Sequence, residues 1–166
     1  MSDPDIARFD AMGHDEAYAV AHGCLGVHRW AEHVAAGRPY AAWPALRSAA
    51  STAAAELTYA ELDEALQGHP RIGERPGAGH AVEHSHREQA GVDATDREVA
   101  VRLAAGNAAY EQRFDRVFLV RAAGRSAPEI LGELDRRLGS SAEDERRETV
   151  DQLREIALLR LESVLS

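Results

Sequence analysis

Ser/Thr-x-x-Glu spacings punctuate this chain, among them Thr58/Glu61, Thr95/Glu98, Ser126/Glu129 and Ser140/Glu143. Each is a helix start, because the hydroxyl accepts the backbone N–H three residues on while the carboxylate returns the bond. Between these marks alanine is abundant and aromatic residues make up only 5%, so intrinsic propensity favours helix almost throughout. Upstream, Asp15 is placed to cap a segment running toward Ala36 and closed by Gly37 and Pro39, with Gly23 and Gly26 able to split it. Pro44 suits the first turn of a further helix through about Glu56. Val99, Leu103, Tyr110 and Phe114 keep helical spacing, with Asn107 the one polar exception, and so do Ile130, Leu134 and Leu138 before Gly139. The last segment, from about Ala142 to Leu165, stacks Val150, Leu153, Ala157, Leu161 and Val164 on one side and is expected to be the longest helix.

Two places break the pattern. Gly68 to Gly79 holds four Gly and two Pro in twelve residues and must be a loop. Val117-Phe-Leu-Val120 is a short extended run, one strand or a buried connector. The expected fold is therefore all-α: a single domain over residues 1–166, a bundle of about seven to nine helices with one glycine-rich loop, and residues 1–8 loose.

Composition removes several function classes. The formal charge of −9 repels nucleic acid and anionic lipid. All 19 basic residues are Arg, so Schiff-base chemistry and a phosphate-gripping P-loop lysine are excluded. One cysteine, Cys24, permits neither an internal disulfide nor a multi-thiolate metal site, which points to a reducing, cytoplasmic setting. No stretch approaches the ~20 apolar residues of a membrane span. The acidic start from Met1 to Asp5 does not read as a secretory signal, nor Val164-Leu165-Ser166 as a peroxisomal address.

Candidate chemistry gathers around the glycine-rich loop. His69, His80, His84 and His86 lie there with Glu83 and Glu88. His80 and His84 at i, i+4 would share a helix face, as zinc ligands do, with His69 or Glu88 as a third donor, but the glutamate that follows the first histidine in zincin motifs is absent. His69 alone offers a second reading. Pro70 drives it out of helical geometry and fixes its direction, as a general acid or base requires, although a histidine there also suits a helix carboxyl end. Ser85, Glu88 and Gln89 share one side of a turn, either as a capping box or as a polar set suited to a flat ligand dense in N–H and C=O groups. In the last helix Arg160 and Arg154 both fall toward the apolar arc, and the wheel does not choose between them. A buried guanidinium there demands an anion.

In order along the chain stand Gly68-His69-Pro70-Arg71-Ile72-Gly73-Glu74, Ser85-x-x-Glu88-Gln89-Ala90-Gly91, Asn107-x-x-Tyr110-x-x-Arg113-Phe114, Gly124-Arg125-Ser126 and Ile156-Ala157-x-x-Arg160-Leu161. Together, over roughly residues 9 to 165, these strings resemble the 2-oxo-4-hydroxy-4-carboxy-5-ureidoimidazoline (OHCU) decarboxylases of urate degradation. The resemblance implies an all-α, cofactor-free and commonly homodimeric enzyme that releases CO2 from OHCU to give (S)-allantoin. It also implies that His69 is the catalytic histidine, Glu88 its paired glutamate and Arg160 the arginine that grips the ligand. By the same resemblance Ser85, Gln89 and Pro70 line the pocket, and backbone groups of Phe118, Leu119 and Arg121 meet the flat ring. The chain departs from the family at Asp115, where Gly is usual, at Arg116, where an apolar residue is common, and at Arg71-Ile72, where many members read Asp-Leu. The competing expectations are a metal-dependent hydrolase of a related cyclic ureide and a non-catalytic helical module that binds a partner.

Overall fold

The computed structural model describes residues 3–69, 71–72 and 97–166. Among them are eight α-helices and no strand, in agreement with the all-α expectation. They are α1 (Ile6–Ala11), α2 (His14–Cys24), α3 (His28–Ala36), α4 (Trp43–Ala55), α5 (Tyr59–Leu66), α6 (Arg97–Phe114), α7 (Ala127–Leu138) and α8 (Ala142–Leu165). They group into two compact units, Met1–Ala65 with Leu153–Ser166, and Leu66–Gln152.

In the first unit the expected split of the Asp15–Ala36 segment occurs at Leu25–Val27. The cap differs from expectation: Gly13 takes the N-cap of α2 and Asp15 lies in the first turn, where its charge still faces the positive end of the helix dipole. Pro44 occupies the first turn of α4, and Glu56 closes it. Near the amino terminus, Asp5 and Arg8 are hydrogen-bonded to the carboxyl end of the chain. Asp5 accepts the Arg8 N–H as N-cap and donates its own N–H to Leu165 O, while the Arg8 guanidinium reaches Val164 O. Phe9, Trp30, Leu46, Leu62 and Leu161 are fully buried, and the Trp30 indole N–H, which cannot be left dry without a partner, donates to Ala50 O at 2.9 Å.

The Thr58/Glu61 box forms as read: the Thr58 N–H donates to Glu61 and the Glu61 N–H to Thr58 Oγ1. Arg29 adds a two-pronged contact to the same carboxylate, Nε to Oε1 at 2.6 Å and Nη2 to Oε2 at 3.0 Å. The Arg29 hydrogen bond, aided by the Thr58 N–H and opposed by partial burial, holds the Glu61 carboxyl down at about 2. A depressed folded-state value stabilises the fold above the ordinary carboxylate value and loses that contribution as pH falls through the shifted one. We therefore expect the melting temperature to drop as pH falls from about 4.5 toward 2, and Glu61→Gln to flatten that slope; parallel melts of the two proteins across this range check it.

In the second unit Leu103, Tyr110, Phe118, Val120, Ala122, Ile130, Leu131 and Leu134 form the core with Ile72. The expected periodicity of α6 and α7 thus faces inward. Gly106 is required by the close approach of these helices, because a Cβ there would stand 2.3 Å from Leu134 Cδ2, and Leu134 is itself fully buried. The Ser126/Glu129 box caps α7, and Gly139 closes it. The expected Ser140/Glu143 box is corrected to the next pair. Ser141 accepts the Asp144 N–H at 3.1 Å and donates its hydroxyl to that carboxylate at 2.8 Å, because α8 begins at Ala142 and so places Ser141 at its N-cap. Thr95 of the remaining box lies outside the described residues.

Asp115 follows α6 with φ of +54°, and its N–H donates to Glu111 O at 2.9 Å. This is the left-handed residue that ends many helices, a place where glycine carries no Cβ penalty and aspartate only a modest one. The departure from glycine noted above is thereby tolerated. Asp115→Gly is expected to raise unfolding free energy by about 0.5–1 kcal/mol, and Asp115→Val to lower it; urea titration of the three proteins checks both signs.

Candidate active site

Helix α5 ends at Leu66, and Gln67 and Gly68 turn the chain toward His69, whose N–H donates to Leu66 O at 3.0 Å. The main chain of His69 thus closes the helix, and the residue is half-buried. Two residues on, the chain is fastened to α6. The Arg71 guanidinium forks onto Glu111, with Nη2 to Oε2 at 2.8 Å, and the buried Asn107 side chain donates to Ile72 O at 3.1 Å. Asn107 and Glu111 lie one helical turn apart, so one face of α6 secures both residues that follow His69-Pro70. The polar exception in the α6 stripe is therefore a backbone anchor. Arg71-Ile72 is served by the same face: an arginine that pairs with Glu111 and an isoleucine that enters the core.

The run Val117–Val120 is a buried connector with no strand pairing. Its course is set by a buried polar network. Arg137, fully inaccessible, donates from Nε to both oxygens of Glu145 at 2.9 and 3.1 Å, from Nη2 to Glu145 and to Thr149 Oγ1, and from Nη1 to Leu119 O. The guanidinium carbon lies 4.8 Å from the Phe118 ring centroid, within cation–π range. Tyr110 donates its hydroxyl to Glu145; burial first, and then this bond to an anion, push its phenol well above the ordinary tyrosine value. One residue beyond the run, the Arg121 N–H donates to Gln152 Oε1 at 2.7 Å. Two of the main-chain groups in the Phe118–Arg121 stretch are thus engaged within the protein. The third string also has structural duties, since Arg113 donates to Ser140 O at 2.9 Å.

In α8 the choice left open by the wheel is made by burial: Arg160 is 3% exposed and Arg154 half-buried. Arg160 Nη1 donates to Cys24 O at the carboxyl end of α2, at 3.3 Å, where the helix dipole favours a cation. His69, Phe118, Leu119 and Arg121 belong to the second unit and Arg160 to the first. Pro70, Ser85, Glu88 and Gln89 lie outside the described residues, as do His80, Glu83, His84 and His86 of the metal reading.

Sequence reasoning missed Arg137, Glu145 and Gln152. The signal was present: Ile130, Leu134 and Arg137 stand at i, i+4 and i+7, which puts an arginine on the apolar face of α7.

The family model described as OHCU decarboxylase matches residues 10–162. The chain belongs to the OHCU decarboxylase family. A 2-oxo-4-hydroxy-4-carboxy-5-ureidoimidazoline decarboxylase of Amia calva is 30% identical over 132 residues, 78% of this chain and 75% of its own length. One of Haloferax volcanii is 28% identical over 149 residues, 89% of this chain and 88% of its own. Among solved structures, an OHCU decarboxylase crystallised in the presence of (S)-allantoin superposes with a TM-score of 0.75 at 21% identity, covering 89% of this chain and 97% of that one. An (S)-allantoin synthase superposes at 0.70 with 16% identity, over 95% of this chain and 53% of the other. The chain is thus a decarboxylase by family, and the family match takes in His69, Phe118–Arg121 and Arg160. Among the described residues no helix is long and apolar enough to cross a membrane.

Proposed function

We propose that this chain decarboxylates OHCU to (S)-allantoin and CO2 in urate breakdown, with His69 exchanging the proton, Glu88 as its paired glutamate and Arg160 gripping the substrate anion. The observation that carries the reading is the family match from residue 10 to 162, within which all three fall. The chemistry is self-consistent. The bond between the ring carbon and the carboxylate breaks, CO2 leaves, and the electron pair is taken up by the adjacent ring imine, so the substrate supplies its own sink. The protein then orients the carboxylate, stabilises the developing enolate-like charge and supplies one net proton in place of CO2: the former imine nitrogen and carbon each end with a hydrogen, the carbon receiving it on one face, while the hydroxyl of the carbon that lost CO2 gives one up and becomes the carbonyl of allantoin.

Each assigned residue suits its part. An imidazole carries both a donor and an acceptor nitrogen and can pass a proton either way. A buried arginine at a helix carboxyl end keeps a fixed positive charge, and its planar guanidinium matches the geometry of a carboxylate. Ser85, Gln89 and Pro70 are assigned to the pocket, together with main-chain groups of Phe118, Leu119 and Arg121. The enzyme works without a cofactor, as a cytoplasmic homodimer, a setting supported by the single buried thiol of Cys24.

OHCU decays unaided to racemic allantoin, so the test is circular dichroism of allantoin formed from freshly oxidised urate. With the protein present we expect faster formation of a single enantiomer. Racemic product at the unaided rate would overturn the proposal.

A further inference from the structure

We infer that Arg137, Glu145 and Gln152 are positioning residues that clamp two consecutive peptide groups and so leave Val120 as the donor–acceptor pair presented to a cyclic ureide. The inference rests on the proposed function for the class of ligand, and on the geometry of the second unit for everything else.

Both peptides are trans, since the cis bond among the described residues is Arg38–Pro39. In a planar trans peptide the C=O and the following N–H point in opposite directions. Arg137 Nη1 holds Leu119 O, so the Val120 N–H is directed away from Arg137. Gln152 Oε1 holds the Arg121 N–H at 2.7 Å, so the Val120 C=O is directed away from Gln152. The clamps thus grip the groups on either side of Val120 and leave its own N–H and C=O turned away from both. Among the described residues neither Val120 group is taken by a hydrogen bond, although the residue is 2% exposed. Buried main-chain groups without partners are rare in folded proteins. A donor and an acceptor on one residue complement the C=O and N–H of a lactam or ureide ring.

The choice of a buried ion pair at the clamp supports the same conclusion. Two charges removed from water recover little net stability, and an apolar pair of similar volume would brace α7 against α8 as well or better. What an apolar pair cannot do is direct a carbonyl. Arginine does so because its fork is planar: Nε and Nη2 engage Glu145, and that fixes where Nη1 meets Leu119. Thr149 and Tyr110 in turn hold the guanidinium and the carboxylate in place.

Two measurements test the clamp. In 15N-labelled wild-type protein titrated with (S)-allantoin, the Val120 amide resonance should move; a Val120 amide that stays put while the ligand saturates, or a protein that takes up no (S)-allantoin, overturns the inference whatever the activity. In turnover of OHCU, Gln152→Leu should raise KM about tenfold, as expected for misdirecting one ligand hydrogen bond. Its kcat should stay within about twofold and its melting temperature unchanged, and Gln152→Glu, which keeps an acceptor, should restore KM. An unchanged KM in Gln152→Leu, or a KM that rises only in step with lost stability, overturns it. A Val120 shift in a protein that leaves OHCU decay unaltered supports the clamp while refuting the proposed reaction.

Discussion

His69→Asn is expected to lower kcat for OHCU by about 10²–10⁴-fold, the usual worth of a positioned general acid or base, with KM changed far less and the melting temperature nearly unchanged. The structure explains why fold and activity should separate here. The main-chain N–H of His69, not its ring, closes α5 on Leu66 O, and asparagine keeps that N–H. The two residues that fix the onward path are Arg71, forked onto Glu111, and Ile72, whose carbonyl takes the Asn107 amide; both are untouched by the substitution. What disappears is an imidazole able both to give and to take a proton, which asparagine cannot replace. Measurement of kcat and KM by the dichroism of allantoin, beside a thermal melt, decides the matter. Near-full activity in the folded variant would show that another group carries the proton.

The helices were legible because their signals are local. Alanine-rich periodicity and caps at Thr58, Ser126 and Gly139 each act within one turn and need no tertiary information. The limits of α8, Ala142 to Leu165, followed from the same signals. The Ser140/Ser141 ambiguity arose where two adjacent hydroxyls each have an acid three residues on, and only the backbone at Ala142 selects one. The division of Arg154 from Arg160 required depth of burial, which a wheel does not contain. Least legible was the machinery around Phe118–Arg121. Arg137 and Glu145 stand eight residues apart on different helices and meet only when α7 packs on α8, so their partnership is a property of the fold. The sequence did carry a conflict, a charge at an apolar position of α7, and such conflicts accumulate where function has requirements beyond stability.

That conflict sets the second large effect. Glu145→Ala is expected to lower unfolding free energy by about 3–5 kcal/mol, since it leaves the Arg137 charge buried and unpaired. For a chain of this size that is a large part of the whole margin. Arg137→Met is expected to cost a similar amount, for it strands the Glu145 carboxylate and removes the donor to Leu119 O. The double variant Arg137→Met/Glu145→Leu should recover most of the loss, because neither charge then remains to be solvated. The recovery stops short of wild type, since the Tyr110 hydroxyl and Leu119 O lose their partners at about 1–3 kcal/mol each. Guanidinium titrations of the four proteins measure these differences directly, with equal costs in single and double variants as the result that would contradict the argument. The same double variant also divides the two roles of the pair. If Arg137 served only to hold α7 on α8, a protein restored in stability would be restored in substrate affinity. If it serves to aim the Leu119 carbonyl, and through that peptide the Val120 N–H, KM stays raised in a molecule that is folded again.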